Sequence, residues 1–232
     1  QALTANPEQQ HAIDTVLSGL GQFSVSLLQG VTGSGKTEVY MQIIAEALLR
    51  GLQILVLLPE ITLTPQLEQR FRRRFSAPIV CFHSKLNDNQ RLHAWLNMQQ
   101  GHAAIMLGTR SALFTPLKNP GLIILDEEHD GSFKQQEGFR FSARDVAIAR
   151  AKILNIPVLL GSATPSFESL FNVAQHRYRL LQLSIRAGNA ADPVYQLLDI
   201  RNKPMQAGLS DALITAIRAT LAQGQQVLLF LN

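Results

Sequence analysis

Gly30-Val31-Thr32-Gly33-Ser34-Gly35-Lys36-Thr37 is the stretch on which the reading of this chain turns. It fits the pattern G-x-x-x-x-G-K-[ST] throughout, after the apolar run Val25–Gln29 and ahead of an amphipathic stretch over 36–50. Glycines let successive N–H groups turn inward toward phosphate oxygens, and the helix N-terminus adds a partial positive charge. In that frame Gly30, Thr32, Gly33, Ser34 and Gly35 form a phosphate cradle. Lys36 reaches the β- and γ-phosphates, and the Thr37 hydroxyl ligates Mg²⁺. A glycine-rich turn can match the pattern by chance; the strand before and the helix after set this one apart. The chain is read as a binder of a nucleoside triphosphate.

Outward from the loop, short Leu-rich or β-branched runs alternate with helical patterns. The runs are 25–29, 53–58, 78–81, 104–107, 122–125 and 157–160, each with few charges. They suit strands buried on both faces of a parallel sheet. In 36–50, Val39, Tyr40, Ile43, Ile44, Ala47 and Leu48 share one face, with Gly51 as a stop. Further helices are expected at about 7–19, 64–75, 87–99, 142–154 and 166–175. The alternation predicts an α/β fold with a mostly parallel, doubly wound sheet and helices on both faces. Residues 1–185 read as one lobe and Arg186–Pro193 (RAGNAADP) as a linker. After it come a strand (194–200), a turn with Pro204 and Gly208, a helix (209–222) and a strand (226–231). These suggest that 194–232 is the truncated beginning of a second lobe, and that the chain is a piece of a longer protein.

Composition narrows the class without naming a partner. The 232 residues are 46% hydrophobic and 16% charged, which argues against disorder. The net charge of +4 is compatible with nucleic acid but too mild to argue for it alone. A single cysteine, Cys81, excludes an intrachain disulfide and a cysteine-based zinc site. With no signal peptide and no bilayer-length apolar run, a cytoplasmic protein without membrane contact is expected.

The run 122–125 ends at once in Asp126-Glu127-Glu128-His129. Carboxylates at the C-terminal end of a parallel strand sit where such sheets bind ligands. Asp126 is placed to hold Mg²⁺, and Glu127 to polarise an attacking water, since hydrolysis needs an oriented nucleophile. Solvated acids at a strand end would look the same on their own; the phosphate loop decides between the two. Glu128 reads as structural or bridging.

The phosphate loop, the D-E-x-H tetrad and Gly161-Ser162-Ala163-Thr164-Pro165, in that order, resemble the superfamily 2 helicases. Leu58–Thr64, Gly108–Ala112 and Lys134–Gly138 narrow the resemblance to the DEAH-like bacterial helicases of replication restart, along essentially the whole chain. The resemblance implies a RecA-like P-loop NTPase fold, with this chain as the first, ATP-binding helicase lobe. It implies an ATP-dependent 3′-5′ DNA helicase with ATP and Mg²⁺ as cofactors. Single-stranded and forked DNA and other primosome proteins would be its partners, and the protein would work as a monomer. Zinc would belong only to a region outside this chain. Asn6-x-Glu8-Gln9 resembles the family's upstream Gln motif, with Gln9 on the adenine edge; Asn6 also reads as a helix cap with Pro7 behind it. Ser162 and Thr164 would relay the nucleotide state through His129 to DNA, although a helix cap ahead of Pro165 fits the pair as well. Arginines that complete catalysis would lie in the second lobe, so slow turnover is expected here.

Segment 130–144, DGSFKQQEGFRFSAR, interleaves Phe133, Phe139 and Phe141 with Lys134, Arg140 and Arg144. Aromatics in a loop stack bases while cations hold phosphates. Any one of these phenylalanines could instead pin the loop to the core, and Phe139 is the best stacking candidate. By the resemblance Thr62, Arg110 and Ser111 also line the strand-binding face, with Thr109 and Ser111 equally plausible as caps. The arginines 70, 72, 73 and 74 read as a solvated helix face, His83 as structural and Trp95 as core or a helix–sheet contact. A double-stranded DNA translocase that separates no strands remains the alternative function, and a signalling P-loop ATPase a third.

Overall fold

The computed structural model describes residues 4–185 and 194–230; the expected linker 186–193 lies outside them. The chain divides into two units, Gln1–Ala190 and Ala191–Asn232.

The first unit begins with helix α1 (Pro7–Ser18), opened by the Asn6 cap and Pro7 at its first turn, and turned inward along Ala12, Ile13 and Val16. Strand β1 (Ser24–Gly30) runs into the phosphate loop and α2 (Lys36–Leu49). Then come β2 (Gln53–Leu57), α3 (Pro65–Arg74), β3 (Ile79–Phe82), α4 (Asp88–Gln100) and β4 (Ile105–Gly108). A 3-10 turn at Arg110–Phe114 leads to β5 (Pro120–Asp126). A second turn, Gly131–Phe133, opens a small hairpin of β6 (Lys134–Gln135) and β7 (Phe141–Ser142). The unit closes with α5 (Ala143–Leu154), β8 (Pro157–Ser162), α6 (Phe167–Ala174) and β9 (Arg179–Leu183).

Seven strands form one parallel sheet in the order β3-β4-β2-β5-β8-β1-β9. Strand residues alternate between two cores, as the period of two demands. Leu28, Ile54, Val56, Ile124 and Leu159 face α1, α2 and α3, while Leu27, Leu55, Ile123, Leu125 and Leu160 face α4 and α5. Trp95 of α4 packs on Phe82, its ring 6.3 Å away, as its helix position suggested. The sheet order puts β5, β8 and β1 side by side, so the loops leaving their carboxyl ends converge. Those three loops carry the phosphate loop, the acidic tetrad and the Ser-Ala-Thr triplet.

The expected first-lobe strands and helices all form, within a residue or two of the bounds read from the sequence. Strand β9 was not expected. Its segment carries Arg179 and Gln182, and only Leu181 and Leu183 are buried, as suits a sheet edge.

In the second unit, β10 (Met205–Gln206) and β11 (Leu209–Ser210) pair antiparallel across Ala207-Gly208. Both turn residues have positive φ, 49° and 80°, the geometry of a tight two-residue hairpin. Helix α7 (Asp211–Ala222) follows, capped by Ser210. The strands expected at 194–200 and 226–231 are corrected: 194–200 and 226–230 are not strands, and residue 231 lies outside the description. Their apolar runs read as strands, but among the described residues neither pairs with another strand, and Val194 and Leu197 are almost wholly exposed.

Candidate active site

Gly33 and Gly35 of the phosphate loop adopt φ of 82° and 88°, a region open to glycine and costly for other residues. A Cβ on Gly30 would overlap the Ser34 hydroxyl. That hydroxyl is fully buried and, among the described residues, has no hydrogen-bond partner. Lys36 Nζ donates to the Gly30 carbonyl oxygen at 2.8 Å, so the ammonium lies folded back over its own loop. The cavity here, about 440 Å³, is lined by residues 31–38 with Thr4, Gln9, Arg70, Asp126 and Glu127. The N-terminus of α2, two glycines at positive φ and a lysine fit an anion such as a polyphosphate. Thr37 and Asp126 add hard oxygen donors on the same wall, the donor type Mg²⁺ takes.

Asn6 and Gln9 form a reciprocal capping box: Asn6 Oδ1 accepts from Gln9 N at 2.9 Å, and Gln9 Oε1 accepts from Asn6 N at 3.0 Å. Gln9 Nε2 also donates to the Ser34 carbonyl at 2.9 Å. The cap reading of Asn6 therefore holds, and Gln9 is joined to the phosphate loop directly.

Asp126 stands opposite Gly161 in the β5–β8 register. Burial raises its carboxyl above the ordinary aspartate range, opposed by a hydrogen bond from Tyr40 Oη to Oδ1 at 2.9 Å. Glu127 has φ of 50°, a strained value for a non-glycine residue at a strand end. Its neighbours hold it there: Glu128 N donates to the Gly161 carbonyl at 3.0 Å, and Asp130 N to the Glu127 carbonyl at 2.8 Å. His129 bridges the two motifs. Its Nδ1 lies 2.7 Å from Ser162 Oγ and its Nε2 3.3 Å from Thr164 Oγ1, with Glu127 3.6 Å away.

Glu128 is the bridging residue the sequence suggested. Only 3% exposed, it accepts from Ser166 N, Ser166 Oγ, Ser169 Oγ and Arg144 Nη1. This corrects the reading of Arg144 as a DNA contact. Its guanidinium is buried, 3.0 Å from Glu128. Although burial alone would lower the Arg144 pKa, hydrogen bonds to Glu128 and Asp145 raise it on balance. Phe133 is corrected too: at 2% exposure it belongs to the α4–α5 core and offers no face to a base.

The rest of the loop divides differently. Phe139 is 81% exposed at the tip of the β6–β7 hairpin, beside Gly138 at φ 65°. Its ring centroid is 6.1 Å from Phe141, which makes an edge-on contact with Phe114 at 5.3 Å. Arg140, Lys134 and Phe141 help line a cavity of about 550 Å³ along this hairpin. Lys134 also lies 3.7 Å from Glu168. Arg110 Nη1 donates to the Ser132 and Lys134 carbonyls, so it anchors the loop while bordering a groove with Ser111.

Three features escaped sequence reading. Tyr40 passed as one more apolar residue of its helix, although its place one turn after Lys36 aims it at the site. Arg70 lines the phosphate-loop cavity and Arg74 pairs with Glu38 at 3.1 Å, so this helix is only partly a solvated face. Among the described residues no group of three or more His, Cys, Asp or Glu could hold a metal ion. None of their helices is long and apolar enough to cross a membrane.

A parallel P-loop sheet with these three motifs on adjacent strands defines a RecA-like helicase lobe. Residues 6–173 match the DEAD/DEAH box helicase family, and the chain belongs to it. Its curated relatives are more specific. It is 54% identical over 230 residues to the replication restart protein PriA of Haemophilus influenzae, covering 99% of this chain and 31% of that protein. To PriA of Synechocystis it is 47% identical over 240 residues, covering 100% of this chain and 29% of the relative. The chain thus spans about a third of the relatives it matches. Among solved structures, RecG bound to a three-way DNA junction superposes with a TM-score of 0.59 at 20% identity, over 84% of this chain and 25% of that one. That likeness concerns the fold alone.

Proposed function

We propose that this chain is the ATP-binding lobe of a 3′-5′ DNA helicase of replication restart, acting in the cytoplasm as a monomer with other primosome proteins. One observation carries the reading: the phosphate loop, Asp126-Glu127 and the His129–Ser162–Thr164 contacts meet at the carboxyl ends of β1, β5 and β8. On binding, Lys36 leaves the Gly30 carbonyl for the phosphates, and the loop N–H groups take the remaining oxygens. Gln9 meets the adenine edge while still gripping the loop. Thr37 and Asp126 would hold Mg²⁺, which neutralises phosphate charge. Glu127 orients the attacking water, and its strained backbone is consistent with a fixed aim.

His129 links the water-orienting side of the site to Ser162 and Thr164, so a change at Glu127 reaches the loop after β8. DNA lies along the exposed hairpin, where Phe139 and Phe141 stack bases and Lys134 and Arg140 hold phosphates. Arg110 keeps the hairpin in place. Catalytic arginines of a second lobe would complete the γ-phosphate shell, so this chain binds nucleotide and turns it over slowly.

Titration of a fluorescent Mg·ADP analogue into the chain tests the site, with Lys36→Ala alongside. Saturable binding that weakens at least about ten-fold in the variant is expected, since a charge-assisted contact to phosphate is lost. Equal binding by both proteins would overturn the assignment.

A further inference from the structure

Tyr40 is 2% exposed, yet its hydroxyl ends on a carboxylate and not on a backbone carbonyl: Oη donates to Asp126 Oδ1 at 2.9 Å. The space it occupies exists because residue 161 is glycine. A Cβ there would overlap the phenol oxygen and crowd Asp126 Oδ1 at 3.2 Å. Gly161 is the residue directly opposite Asp126 across β5 and β8. A large side chain from α2 therefore enters the space that Gly161 leaves beside the acidic residue. Tyr40 shares α2 with Thr37, three residues earlier and so on the neighbouring side of the same turn. Its hydroxyl thus joins the helix that carries one hard oxygen donor to the strand that carries the other.

The terminal torsion of an aspartate is broad and two-fold, so a carboxylate without a fixed donor samples several orientations. A donor on one oxygen selects among them. We propose that Tyr40 is a positioning residue, which orients the Asp126 carboxylate toward a divalent cation and ties it to the helix bearing Thr37. The proposal rests on reading the cavity as a Mg²⁺-nucleotide site. Partners of this kind behind a metal ligand are worth about 10- to 100-fold in metal affinity.

Tyr40→Phe removes one oxygen and keeps the ring. The measurement is binding of the fluorescent ADP analogue with Mg²⁺ titrated from zero, and again in EDTA. In the variant, the Mg²⁺ concentration for half-maximal enhancement of binding should rise about ten-fold, while binding in EDTA stays as in wild type. Adding Tyr40→Phe to Asp126→Asn should change the Mg²⁺ response no further. Equal weakening with and without Mg²⁺, or an undiminished effect in the Asp126→Asn background, would make Tyr40 a packing residue and overturn the proposal. If the wild-type chain binds no nucleotide, or binds it as well with Lys36→Ala, the reading of the cavity fails instead. Should Tyr40→Phe not fold, 3-fluorotyrosine at position 40, assigned with Tyr178→Phe and Tyr195→Phe, supplies the same test. Its ¹⁹F resonance should move when Mg²⁺ joins the nucleotide-bound chain, and a fixed resonance would overturn the proposal.

Discussion

Phe133 and Phe139 stand six residues apart in one loop and meet opposite surroundings, 2% against 81% exposed. The same truncation should therefore read out differently. Phe133→Ala opens a cavity in the α4–α5 core and should cost about 3–5 kcal/mol in chemical denaturation. Phe139→Ala should leave stability within about 0.5 kcal/mol and weaken single-stranded DNA binding by about 1–3 kcal/mol, measured by anisotropy. Equal stability losses would contradict the burial difference. Sequence ranked Phe139, between Gly138 and Arg140, as the best stacking candidate, but it could not assign Phe133 to the core, because an aromatic in a glycine-containing loop belongs to no period that gives it a side. Cys81 is a second case where surroundings decide. Burial, then the Glu68 carboxylate beside it, push its thiol up to about 12. The reactive thiolate is scarce below that value, so at pH 8 iodoacetamide should label Cys81 about a thousand-fold more slowly than an unperturbed thiol. The rate should climb about ten-fold per pH unit, and labelling at an ordinary rate in the folded chain would contradict the burial.

Between elements, the buried Glu128–Arg144 pair joins the end of β5 to α5 and, through Ser166 and Ser169, to the start of α6. Removing Arg144 leaves the buried Glu128 carboxylate without its counter-charge, held only by the neutral donors of Ser166 and Ser169. Arg144→Met should cost about 3–5 kcal/mol, lowering the melting temperature by roughly 10 °C for a chain of this length. The double variant Glu128→Leu/Arg144→Met should recover much of the loss, since apolar replacements of a buried pair are often neutral. An unchanged melting point in the single variant would refute the pairing. The elements themselves were legible because buried parallel strands leave uninterrupted apolar runs and capped helices leave Asn, Ser or Thr at their starts. What the pattern could not supply was pairing. Residues 122–125 and 226–230 look alike as strings, but only the first has neighbours on both sides. Edge strand β9, half polar, looked like none.

Across the whole molecule, the site is assembled from distant stretches that the sheet order alone brings together. Motif spacing pointed to the candidate residues, but the adjacency of β5, β8 and β1 is a property of the crossovers. That is why Tyr40 and Gly161, 121 positions apart and joined only across the sheet, stayed hidden. Among the described residues, those lining the phosphate-loop cavity all lie between Thr4 and Glu127. Among the described residues, both hydrophobic cores draw on buried residues no later than Leu183. The chain's exit from β9 is itself fastened within the first unit, where Glu8 accepts from Ser184 N at 2.7 Å and from Ile185 N at 3.3 Å. A chain ending at Ala190 thus keeps the cavity, both cores and that clasp. It should melt as one cooperative unit and bind the Mg·ADP analogue within about two-fold of the 232-residue chain, a difference of roughly 0.4 kcal/mol. Calorimetry and the same fluorescence titration check both halves of the expectation. A large loss of affinity with melting unchanged would overturn the expectation that residues 4–185 hold the whole binding site.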